Sequence, residues 1–148
     1  MSKDTKSLLA LTLGCTLAGA LFGFGTNVFS FRSAYDGLGR ETLIQVTSTF
    51  VYLGLALILV FKFRWRGVLA AIFMVAGATA VSWALFPLAL GLAGVGDPAG
   101  YAERFGDFPR ASYRDWAVFD VAFVGLSAAL AQGLRLMAHV DPGSPRDE

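Results

Sequence analysis

The side chains of this chain that could do chemistry fall into one small set. Gln45, Ser48, Thr49 and Tyr52 recur at i, i+3, i+4 and i+7, the spacing that lines one face of a helix with polar groups. Asp120 is the single charged residue in an apolar run from Trp116 to Leu134, and Ser127 falls on its predicted face two turns on. Asn27 closes an earlier apolar run at a similar level. Asn27, Gln45, Ser48, Thr49, Tyr52 and Asp120 are therefore expected to line a small ligand-binding pocket, with Arg32 or Arg114 supplying a counter-charge. An ionisable group inside an apolar span is by default a ligand or proton site. The competing reading is a structural hydrogen-bonded network near the membrane interface, because Asp120 lies only about 6 Å along its helix from Trp116.

Little else in the sequence could carry catalysis. Cys15 is the only cysteine and His139 the only histidine, so one protomer cannot build a disulfide, a cysteine zinc site or a clustered-histidine metal or haem site. No metal or cofactor is expected, and neither a Walker loop nor HExxH nor GxSxG occurs. Cys15 reads as a small packing residue. Thiol–quinone exchange is excluded by that lone cysteine, and the first apolar run lacks the acid that small multidrug transporters carry there. Gly23-Phe24-Gly25 has the glycine–aromatic–glycine order of a carbonyl-lined ion filter, yet only 22 residues precede it, too few for the outer and pore helices such a filter follows. These glycines are expected to serve packing and a helix end. Basic and acidic residues number 12 and 11, a balance that removes nucleic acid as a partner.

The elements that must position the polar set are membrane helices. About 20 predominantly apolar residues are needed to cross a bilayer, and a charge at mid-bilayer is expensive. Ser7 to Phe31, Thr42 to Phe61 and Gly67 to Gly96 contain no charged residue, and Trp116 to Leu134 contains only Asp120. A soluble helix would show a charged face, and a β-barrel strand would alternate; these runs do neither. The fold class is thus all-α, an integral membrane four-helix bundle with spans at roughly 8–28, 43–62, 67–92 and 114–137, forming one domain over 1–148 with a short polar tail at 141–148. Lys3, Lys6 and the small residues Ala18-Gly19-Ala20 also fit a cleaved secretory signal, but the apolar stretch runs on through Leu21, Phe22 and Phe24 to the length of a span.

Orientation follows the basic residues. The short segment from Lys62 to Arg66 carries three of them and no acid, which marks it as cytoplasmic, and Lys3, Lys6, Arg135 and Arg146 fall on the same side. The chain is accordingly placed in the cell membrane with both termini cytoplasmic. Aromatics interleave with charges in the two outer connections, as in a belt at the headgroups, and 99–106 is expected to form an interfacial helix.

Helix contacts should run through small residues, since lipid gives no hydrophobic drive for association. Cys15, Gly19 and Gly23 form one such face, and Gly125, Ala129 and Gly133 another. Either can pack inside the bundle or form a homodimer seam. The third run is too long for a straight span, so a kink near Leu85 to Pro87 or an early end near Leu92 is expected. Three functions stay open: a non-catalytic membrane module or accessory subunit of a membrane complex, a small dimeric transporter or permeation protein using Asp120, and a lipid-binding or lipid-modifying enzyme that would pair Asp115, Asp120 or Glu103. Membrane lipid is a partner in each.

Overall fold

The computed structural model describes residues 2–94 and 108–138, the side chains of 108–113 excepted. Among the described residues there are five helices: α1 (Lys3–Tyr35), α2 (Glu41–Phe63), α3 (Trp65–Ala84), α4 (Phe86–Leu92) and α5 (Phe108–Ala138). The fold is an all-helical bundle in which α1, α2, α3 and the Arg114–Ala138 part of α5 are each long and apolar enough to cross a membrane. The expected interfacial helix at 99–106 and the tail at 141–148 lie outside the described residues.

The helices overrun the predicted spans because charged residues end a span without ending a helix. α1 begins at Lys3, where the Ser2 side chain accepts from Thr5 N–H, and its 33 residues extend about 50 Å. The third apolar run breaks where expected. α3 ends at Ala84, Leu85 lies outside helical geometry, and α4 restarts with Pro87 in its first turn, where the missing N–H costs nothing.

Packing follows the rows of residues four apart. α1, α2 and α3 contact one another, α5 lies against α2 and α3, and α4 packs on α1. Along α5 the buried row is Asp120, Val124, Ala128 and Gln132; along α1 it includes Cys15, Gly19, Gly23, Asn27 and Phe31. The opposite face of α1 is a leucine row, Leu9, Leu13, Leu17 and Leu21, all exposed, and Leu126, Leu130 and Leu134 do the same on α5. Small or polar inside and leucine outside is the arrangement that lipid favours. The apolar core centres on Leu59, Val60, Met74 and Val75, none of them accessible.

A single residue joins α2 to α3. Arg64 adopts φ 57° and ψ −131°, a conformation that glycine reaches far more readily, and strain of this kind costs on the order of 1–3 kcal/mol. The tight hairpin requires Gly67: a Cβ there would run into the backbone carbonyl of Leu59.

Candidate functional site

Six of the eight sequence-selected residues meet at one end of the bundle. Asn27 from α1, Gln45, Ser48 and Tyr52 from α2 and Asp120 from α5 line a single cleft, together with Gly23, Thr26, Thr79, Trp116 and Ala117. Thr49 joins through its hydroxyl, which donates to Asp120 Oδ1 at 2.5 Å. The cleft has a cavity volume of about 10 Å³, close to what one water needs.

The polar side chains are organised by their own helices first. Ser48 donates to the Gln45 carbonyl at 2.7 Å, Thr26 to the Gly23 carbonyl at 2.9 Å and Thr79 to the Val75 carbonyl at 2.7 Å. Such back-bonding occupies the hydroxyl protons and leaves oxygen lone pairs as the outward-facing groups. Bonds between helices are fewer. Gln45 Nε2 donates to Asn27 Oδ1 at 3.2 Å, tying α2 to α1, and Ser82 donates to the Ala20 carbonyl at 3.1 Å, tying α3 to α1. Asn27 is 2% exposed and its Nδ2 group is buried without a hydrogen-bond partner. The lining thus combines many acceptors with one unsatisfied donor.

A slot in α1 receives Tyr52. A Cβ on Gly19 would stand 3.1 Å from the Tyr52 ring and 3.3 Å from Ala78 Cβ, and one on Gly23 would collide with the Tyr52 hydroxyl and approach Ser82 Oγ. The small face of α1 and the polar stripe of α2, separate features in the sequence, are two sides of one contact. Gly23 therefore serves packing, as expected; Gly25 faces open space, and α1 continues ten residues beyond it, so the glycines do not mark a helix end.

The expected counter-charge is absent from the cleft. Arg32 Nε donates to Asp36 Oδ2 at 2.8 Å and its Nη1 to the Ala93 carbonyl at 3.3 Å, because an acid one turn away and the end of α4 lie closer than Asp120. Arg114 pairs with its neighbour Asp115, both well exposed. Among the described residues no cation pairs with Asp120, which is 4% exposed. Two further expectations change. Ser127 is only half-buried, since the contact row of α5 drifts through Val124 and Ala128 to Gln132. Of the small face on α5, Gly125 meets Ile72 and Ala129 packs at the edge of the core, but a Cβ on Gly133 would meet nothing. Ser33, near the end of α1, is buried and accepts from Arg40 N–H at 3.1 Å.

Thr26, Thr79, Ser82 and Gln132 escaped the sequence reading. Thr79 and Ser82 carried a usable signal, being hydroxyls three apart in an otherwise apolar run. Gln132 carried a weaker one, twelve residues beyond Asp120 on the four-residue row. Compared with known proteins, the chain matches no family model, no curated protein and no solved structure.

Proposed function

We propose that the chain is a non-catalytic membrane module, an accessory subunit of a membrane complex or a small self-associating bundle, held in the cell membrane with both termini cytoplasmic. One observation carries this reading. The described lining leaves a cavity of about 10 Å³, near the size of one water, and holds one carboxylate with neither a histidine nor a second acid to work with it. Activation of a nucleophile and acid–base chemistry by paired carboxylates both need such a partner within hydrogen-bond reach. Asp115, the nearest other carboxylate in sequence, is engaged by Arg114 on the exposed side of α5. Native mass spectrometry of the protein extracted from its own membrane tests the proposal: a stoichiometric unrelated subunit or a defined homo-oligomer is expected, and a bare monomer would contradict it.

Topology is tested by single cysteines in a Cys15→Ala background with an impermeant thiol reagent on intact cells. Leu38 and Arg66 are both exposed and lie at opposite ends of the bundle. Leu38→Cys is expected to label and Arg66→Cys to stay dark; the reverse pattern would invert the orientation.

A second reading, a small transporter using Asp120, is favoured by a specific feature: a buried carboxylate without a paired cation shares its cleft with the unsatisfied Asn27 amide. Under that reading Asp120→Asn abolishes pH-dependent uptake in proteoliposomes while the bundle stays folded. Wild-type vesicles with no such uptake would leave the module reading alone.

A further inference from the structure

The residue that turns α2 into α3 is an arginine where the backbone asks for glycine. Among the described non-glycine residues Arg64 alone has a positive φ. Its backbone does all that the turn requires: its N–H donates to the Val60 carbonyl at 2.8 Å and its carbonyl accepts from Val68 N–H at 3.2 Å. The side chain adds nothing to this, is exposed, and has no partner among the described residues. A strained residue whose side chain the fold does not use points to use by something outside the fold.

The surroundings indicate what that is. Lys62 and Arg66 are exposed on either side of Arg64. Arg66 reaches Thr5 Oγ1 at 3.5 Å, which brings the start of α1 with Lys3 and Lys6 to the same end. Arg135 donates to the Phe61 carbonyl at 2.8 Å, which brings the end of α5 there as well. Six cations, five of them on four helices and Arg64 in the turn, thus share one end of the bundle, and the acid among the described residues there is Asp4. Phe61 and Trp65, both more than half exposed, flank the turn.

We propose that the α2–α3 turn binds the phosphate of an anionic phospholipid, with Arg64 as the main contact, Lys62 and Arg66 as flanking charges, and Phe61 and Trp65 against the acyl chains. A planar guanidinium offers paired donors that match phosphate oxygens. A lipid fits better than a free anion because the cations sit on the ends of membrane-length helices beside exposed aromatic rings. The proposal rests on the membrane reading above, and its test separates the two.

Full-length protein is incorporated into vesicles of phosphatidylcholine with one quarter phosphatidylglycerol, and the lipid retained on extraction into neutral detergent is counted by native mass spectrometry. Wild type retains phosphatidylglycerol in preference to phosphatidylcholine. Arg64→Gly lowers that preference about fivefold, the share of one basic residue at a membrane surface, while its melting temperature in neutral detergent equals or exceeds that of wild type. Arg66→Gln, which leaves the strained backbone untouched, lowers the preference as well. Unchanged phosphatidylglycerol retention in Arg64→Gly, or a lower melting temperature, overturns the proposal. Displacement of the lipid by about 10 mM inorganic phosphate, too dilute to screen charges at contact distance, would assign the site to free phosphate and also overturn it. Equal retention of both lipids by wild type would do the same and leave the membrane reading intact, whereas failure of the chain to enter either vesicle would remove the membrane reading itself.

Discussion

Asp120 and Gln132 lie on the same buried row of α5, three turns apart, in opposite halves of the bundle. Around Asp120 the core is polar: Thr49 donates to it, and Asn27, Gln45, Ser48 and Tyr52 line the same small cleft. Gln132 is itself 1% exposed and its carbonyl oxygen is buried without a hydrogen-bond partner, in a bundle whose apolar core includes Leu59, Val60, Met74 and Val75. The difference teaches what a polar group does in a membrane bundle. Where a partner is at hand, as for Asp120 and Gln45, it joins helices; where one is lacking, as for the Gln132 oxygen and the Asn27 amide nitrogen, it is a cost carried by the packing around it.

The largest effect is expected where the two kinds of packing meet. Gly23→Leu would force Tyr52 and Ser82 out of their slot, costing about 3 kcal/mol, the upper part of the overpacking range. Thermal unfolding in detergent checks this, and a wild-type melting temperature would show that the α1 slot is not as close as described. In the apolar half, Leu59→Ala leaves a cavity among fully buried neighbours. Because lipid removes much of the transfer component, the loss is about 2 kcal/mol, the low end of the range for such truncations. Gln132→Met keeps the volume and removes the orphaned acceptor, so stability is expected to rise by about 1 kcal/mol or less. A clear loss would mean that the amide has a partner that matters. Smallest is Gly133→Leu, whose side chain would enter open space; a change within about 0.5 kcal/mol is expected, as at other surface sites.

These contrasts also show how much was legible from residue order. The spans were readable because charge exclusion is a strong signal over about 20 residues, and Pro87 announced the break between α3 and α4. The polar stripe of α2 was readable because it stays on one helix face. What failed was pairing across space. Nothing in the sequence shows that Arg32 is taken by Asp36 and the end of α4, or that Arg114 turns to Asp115. Identical small-residue spacing on α1 and α5 likewise hid a difference, since Gly19 and Gly23 are covered by Tyr52, whereas on α5 the contact stops short of Gly133, which has no neighbour within reach. The strain at Arg64 lies in a backbone angle, which no side-chain pattern announces.

The central claim is that Asp120 belongs to a structural hydrogen-bonded layer within a non-catalytic module. The most direct test is the unfolding free energy of Asp120→Asn and Asp120→Leu in one neutral detergent. Asparagine keeps an acceptor for the Thr49 hydroxyl, so a change within about 0.5 kcal/mol is predicted, whereas leucine leaves Thr49 and Asn27 facing an apolar group and should cost about 1–3 kcal/mol. Equal stability of the leucine variant and wild type would contradict the claim, because the layer would then contribute nothing to the fold and Asp120 would have to be kept for a ligand or a proton.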